Sequence, residues 1–323
     1  MLKRREALLA GLATSLLSPA ARAVQQAGIW PAYPAEEIDL WPGAPPGAPA
    51  VLPVEQVIET GTEEHHGRMV KGIFRPRMKV FRPLRPNGAA LLVTPGGGYS
   101  VIVIDVEGYQ IGPWLAERGW TVFVLYYRLP GEGWENRADV PLADAQRAIR
   151  LIRSHAASYG FDPEKVGAMG FSAGGHTCAD LATRFNAEVY DQIDAADRLS
   201  ARPAVAAPIY AVQSMLEPLA HGGSRDMLLG PNPPPGMDRA HSPALNVSAR
   251  TPPVFMAHAE DDTVVSVENT VEMRAALKAA GVKVETHLFT AGQHGFGLPG
   301  PAGEPARHWK EMFIAWAKAQ GLG

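Results

Sequence analysis

An apolar segment, Val166–Met169, runs straight into Gly170-Phe171-Ser172-Ala173-Gly174, and a helical segment, Gly175–Arg184, follows at once. A G-x-S-x-G run between a strand and a helix commits the backbone to a sharp turn. The serine then sits at the positive end of a helix with its hydroxyl pushed out of the backbone. Such a strained turn tolerates only tiny neighbours, and Gly170 and Gly174 flank the serine. Glycine-rich turns are common, so the motif alone says little. The strand before it and the helix after it make Ser172 a candidate nucleophile.

The rest of the chain has the rhythm that this turn needs. Loose alternation over Val54–Phe81 predicts two or three antiparallel strands after a proline- and glycine-rich wrap, Trp30–Pro53. From Ala89 onward strands and helices alternate. Strands are expected at Ala90–Thr94, Thr121–Tyr127, Lys165–Met169, Ala204–Tyr210, Pro253–His258 and Val282–Phe289. Helices are expected at Glu107–Arg118, Asp139–Tyr159, Val267–Ala280 (closed by Gly281) and Ala306–Ala319. Ala211–Ala249 has no strong period and reads as an irregular insertion near the site. Strands joined by helices imply an α/β fold, a mainly parallel central sheet with helices on both faces.

Length and charge narrow the class. A chain of 323 residues, 46% hydrophobic, supports one sizeable α/β domain. A net charge of −3 with no basic stripe argues against a nucleic-acid partner. The single cysteine, Cys178, rules out an intrachain disulfide and is expected to be a buried, inert thiol. Lys3-Arg4-Arg5, the apolar run Ala7–Leu17 and Ala21-Arg22-Ala23 read as an export signal over residues 1–23. As a helix that run reaches only about 16 Å, against a bilayer core of about 30 Å, so no membrane anchor is expected. The Arg4-Arg5 pair resembles a twin-arginine signal. A periplasmic or secreted location is therefore expected for a catalytic domain spanning residues 24–323. Oligomeric state is not legible.

A serine nucleophile needs a base, a group to orient that base, and donors for the oxyanion. This serine elbow resembles that of the α/β-hydrolases, in which the acid and then the histidine follow it in the chain. His287, His294 and His308 remain as bases. His287 falls mid-strand and His308 on the terminal helix. His294 lies in a loop, Gly292-Gln293-His294-Gly295-Phe296-Gly297, right after the last strand, and is the best placed. The acid belongs after the preceding strand, where Glu260, Asp261 and Asp262 stand together and position does not separate them. Pro95-Gly96-Gly97-Gly98-Tyr99 follows the first parallel strand, where part of an oxyanion hole belongs, partnered by the N–H of Ala173. No G-K-[ST] follows the three glycines, which excludes a P-loop. His65-His66 lacks a spaced partner, so no metal is expected. His176 reads as a packing residue, Asp139 and Asp144 as helix-start carboxylates. Tyr126, Tyr127 and Arg128 read as structural residues at the sheet's carboxyl edge.

Taken in order, several of these runs resemble one branch of the α/β-hydrolases, that of bacterial acetyl xylan esterases and related carbohydrate or feruloyl esterases. They are Pro95–Tyr99, Tyr127-Arg128-Leu129-Pro130, Asp144–Ala148, Gly170–His176, Ser242-Pro243-Ala244 and Gly292–Gly297. The resemblance covers roughly Val54 to the C-terminus. It implies an α/β-hydrolase fold and a cofactor-free, metal-free Ser-His-Asp esterase. The family pattern H-G-x-x-D-x-x-V-P lies over His258–Ser266 and places the acid on Asp262, with Asp261 as runner-up. Ala259 and Ser266 depart from that pattern. By likeness to the hormone-sensitive-lipase-like branch, which has histidine where Pro95 stands, the oxyanion donors fall on Gly97 and Gly98. The implied substrate is a short acyl ester, acetyl above all, on plant-wall carbohydrate such as xylan. The rivals are a feruloyl esterase, a broad small-ester carboxylesterase, lipase or peptidase, and a non-catalytic binding protein on the same scaffold.

Overall fold

The computed structural model describes residues 34, 36–61, 66–300 and 303–323. The expected export signal and the side chains of the His65-His66 pair lie outside them. The strands run β1 (Glu37–Asp39), β2 (Gln56–Gly61), β3 (His66–Lys71), β4 (Arg77–Phe81), β5 (Ala90–Thr94), β6 (Ile102–Val103), β7 (Thr121–Tyr126), β8 (Val166–Phe171), β9 (Ala206–Ile209), β10 (Val254–Ala259) and β11 (Val284–Phe289). Eight of them form one sheet in the order β1-β4-β7-β5-β8-β9-β10-β11, and β2, β3 and β6 form a second, three-stranded sheet. β1 and β4, and β4 and β7, pair antiparallel. Every neighbouring pair from β7 to β11 is parallel.

The residue pattern explains that split. β5, β7, β8, β9 and β10 are buried along their whole length and carry near-continuous apolar runs, as a parallel sheet covered on both faces requires. β11 carries Glu285, Thr286 and His287 and is only half-buried, as suits an edge strand. The covering helices include α1 (Ile111–Ala116), α2 (Val140–Ser154), α3 (Ala156–Tyr159), α4 (Ser172–Arg184), α5 (Gly222–Leu229), α6 (Met237–Ala240), α7 (Glu268–Ala279) and α8 (Trp309–Ala319). The chain leaves β5 for β7 on one side and comes back to β8 on the other. Strand order reverses there, which opens a crevice at the carboxyl ends of β5 and β8, the usual place for a ligand.

Three expectations are corrected. The single helix expected over Glu107–Arg118 is a π-helical turn, Asp105–Tyr109, followed by the short α1. The Gln110 N–H donates to Asp105 O, a five-residue step, and Pro113 has no N–H with which to continue an α ladder back to Tyr109. The stretch Ala211–Ala249 contains α5, α6 and a 3-10 turn at Pro243–Leu245, too short to leave a readable period. Asp144 caps no helix: it is buried within α2 and accepts bonds from the Arg128 guanidinium and from Trp41 Nε1. Asp139 does precede α2 but makes no capping bond, and pairs with Arg184 at 2.8 Å instead.

Candidate active site

β8 delivers Ser172 to the first residue of α4 with φ at 51°, in the left-handed region that non-glycine residues avoid. Such a conformation costs about 1–3 kcal/mol and persists only where the surroundings impose it. Here they do. A Cβ on Gly170 would lie 2.3 Å from the Gly174 carbonyl oxygen and from Thr94 Oγ1, and one on Gly174 would lie 2.2 Å from the Thr94 carbonyl oxygen. Thr94 Oγ1 donates to Gly174 O at 2.8 Å, and Thr94 pairs with Gly170 in the β5–β8 register. The carboxyl end of β5 is thereby clamped against the elbow.

Of the three histidines, His294 alone meets the serine. Its Nε2 lies 2.9 Å from Ser172 Oγ, and its Nδ1 lies 2.7 Å from Asp262 Oδ2. A carboxylate only accepts, so Nδ1 carries the hydrogen and Nε2 is free to accept the serine O–H. His287 bonds Glu285 on β11, and His308 is exposed on a turn before α8. The three carboxylates that position left open now separate. Glu260 is exposed. Asp261 Oδ1 accepts the N–H groups of Gly292 and Gln293, pinning the histidine loop. Asp262 Oδ1 accepts the N–H groups of Val264 and Val265, and its Oδ2 also faces His258 Nε2 at 3.1 Å. Burial by itself would raise the Asp262 pKa. The bonds from His258 and His294 outweigh it and hold the carboxyl well below the usual range, so it stays ionised.

The glycine loop lies against the serine: a Cβ on Gly96 would come within 2.9 Å of Ser172 Cβ. Tyr127 donates its hydroxyl to Pro95 O at 2.8 Å, and the Gly96 N–H donates to Glu107 Oε2 at 2.6 Å. The N–H groups of Gly97 and Gly98 make no hydrogen bond with described residues. The Ala173 N–H lies in the first turn of α4, where helical N–H groups have no partner within the helix. Donors, helix dipole and nucleophile thus gather at one rim of the sheet, an arrangement that can stabilise negative charge growing on an ester oxygen.

Around this centre the sequence was less informative. His176 is a packing residue as expected, with Nε2–H donating to His241 O and Nδ1 receiving the Tyr99 hydroxyl at 2.6 Å. Cys178 is buried and burial pushes its thiol up to about 12. Glu107 and Tyr210 carried no sequence signal, because they meet each other across 103 positions, whereas His258 opens the H-G-x-x-D pattern and bonds Asp262, Val265 and Thr270 close by in the chain. The Tyr210 ring packs edge-on against His294, with centroids 5.3 Å apart. Among the described residues no cluster of three or more His, Cys, Asp or Glu side chains forms a metal site.

A serine at a strand-to-helix elbow on a mainly parallel sheet, with histidine and aspartate on the loops after its last two strands, defines an α/β-hydrolase. A family model described as BD-FAE matches residues 90–277, and the chain belongs to that family of α/β-hydrolase esterases. It is 33% identical over 228 residues to an acetylxylan esterase of Xylanibacter ruminicola, covering 69% of this chain and 44% of that one. With the endo-1,4-beta-xylanase B of Butyrivibrio fibrisolvens it shares 35% identity over 205 residues, covering 64% and 32%. The chain therefore spans less than half the length of these two curated relatives. Among solved structures, the acetyl ester-xyloside bifunctional hydrolase of Caldicellulosiruptor lactoaceticus superposes with a TM-score of 0.74 at 32% identity. That match covers 91% of this chain and 99% of that one. A Thermogutta terrifontis esterase shares the fold with a TM-score of 0.63 at 24% identity, covering 77% and 90%.

Proposed function

We propose that the protein is an exported serine carboxylesterase that removes short acyl groups, acetyl first among them, from xylan-type carbohydrate. The observation that carries the reading is the relay from Ser172 Oγ through His294 to Asp262, with contacts of 2.9 and 2.7 Å. His294 Nε2 takes the serine proton as Oγ attacks the ester carbonyl, and Asp262 stabilises the imidazolium that forms. The N–H groups of Gly97, Gly98 and Ala173 receive the oxyanion. His294 then returns the proton to the departing sugar oxygen, leaving acetyl on Ser172, and activates the water that releases acetate. The xylan assignment draws its support from the acetylxylan esterase and xylanase named among the relatives and from the acetyl ester-xyloside hydrolase among the structures.

Acetate release from acetylated xylan, alongside p-nitrophenyl acetate turnover, tests the reading. The wild type releases acetate from both, and Ser172→Ala releases it from neither while keeping its fold. Turnover retained by Ser172→Ala would point to another nucleophile.

A further inference from the structure

Beside the relay proposed above stands a buried acid with no step of its own. Glu107 lies on the π-helical turn after β6, buried, and its two oxygens reach opposite sides of the site. Oε2 accepts the Gly96 N–H of the oxyanion loop at 2.6 Å, and Oε1 accepts the Tyr210 hydroxyl at 3.0 Å. Tyr210, just past β9, accepts the Gly297 N–H of the histidine loop at 3.2 Å and lays its ring against His294. Three loops from three strand ends are therefore joined through one carboxyl group. Because the Tyr210 oxygen already accepts from Gly297, its own hydrogen needs an acceptor, and Glu107 supplies it. Burial raises the Glu107 pKa, and the bonds from Gly96 and Tyr210 oppose that rise; both carboxyl oxygens accept, which is the pattern of the ionised form.

We infer that Glu107 is a positioning residue for this hydrolysis, holding the oxyanion loop and the histidine loop in register through Gly96 and Tyr210. The inference rests on the serine-esterase reading. Its anion also stands within electrostatic reach of His294 and favours the imidazolium formed during attack. The titratable groups facing Glu107 are Tyr127, Tyr210 and His294, and those facing His294 are Asp262, Tyr210, Glu107 and His221. Burial raises both tyrosines further above 10, and Asp262 stays ionised, so neither tyrosine nor Asp262 changes charge near neutral pH.

Glu107→Gln keeps the volume and an acceptor for Gly96 but offers the Tyr210 hydroxyl only an N–H, and it removes the charge. Tyr210→Phe keeps the ring on His294 and cuts the same chain at its middle. With p-nitrophenyl acetate, each is expected to lower kcat by roughly 10²-fold, with KM little changed, because misplacement of reacting groups acts on the chemical step. The double variant is expected to lose no more than the worse single one. The acid limb of kcat/KM moves to lower pH in Glu107→Gln and stays in place in Glu107→Asp, which retains the charge. Wild-type kcat in Glu107→Gln overturns the inference, and so does a loss of kcat with an unmoved acid limb. If Glu107→Gln fails to fold, Tyr210→Phe decides, and wild-type kcat there overturns the inference as well. An inactive wild type, or an active Ser172→Ala, refutes the esterase reading itself; unimpaired Glu107 and Tyr210 variants of a working enzyme refute only this one.

Discussion

Asp262 receives four hydrogen bonds: two from backbone N–H groups of its own turn and two from imidazoles. The backbone pair fixes the carboxyl plane, and the imidazole pair fixes which nitrogen of His294 holds a hydrogen. His258 Nε2 faces both Asp262 Oδ2 and the Val265 carbonyl, so it donates, while its Nδ1 accepts from Thr270. Asp262→Asn keeps an oxygen for the two N–H groups but turns an amide N–H toward His294, forcing the wrong tautomer. Its kcat is expected to fall roughly 10³–10⁴-fold. The unfolding midpoint should fall as well, because the charged acceptor facing His258 and His294 is lost while the turn keeps its own acceptor. Wild-type kcat would show that the carboxylate does not orient the base.

At the scale of elements, the β5–β8 pair and the elbow form one clamp. Gly174→Ala puts a methyl group 2.2 Å from the Thr94 carbonyl oxygen and 2.3 Å from that of Pro95. Both are backbone atoms that no rotamer change can move. We expect a loss of about 2–4 kcal/mol in urea-induced unfolding, together with loss of activity. A neutral substitution would mean the strand ends are looser than the register implies. This clamp was legible in the sequence because its parts are contiguous: an apolar run, two glycines round a serine, then a helix. So was His294, in a glycine-rich loop after the last strand. Asp262 needed a family pattern, since three adjacent carboxylates differ only in where the turn points them. Glu107 and Tyr210 were illegible because a π-turn and a strand end carry no periodic mark. Their roles come from contacts with Gly96 and Gly297, residues 11 and 87 positions away respectively.

Across the whole molecule, burial makes the folded state sensitive to acid. His176, enclosed between Tyr99 and the His241 carbonyl, has its pKa lowered by burial to about 4 from an ordinary 6.5. Between those values the unfolded chain binds a proton that the folded one excludes, so stability falls as pH drops through that window. From pH 7 to 4.5 the His176 contribution amounts to about 2–3 kcal/mol. Denaturant unfolding of wild type and His176→Gln at the two values isolates it: the variant should lose less stability on acidification, and an identical loss would contradict the assignment. The same enclosed scaffold holds the serine, imidazole and carboxylate at one rim of the sheet, and a fluorophosphonate probe followed by peptide mass mapping tests that arrangement most directly. The account predicts one adduct per chain, on Ser172, formed at least about 10³-fold more slowly in His294→Ala. An adduct on any other residue, or labelling of Ser172 at an unchanged rate without His294, would contradict it.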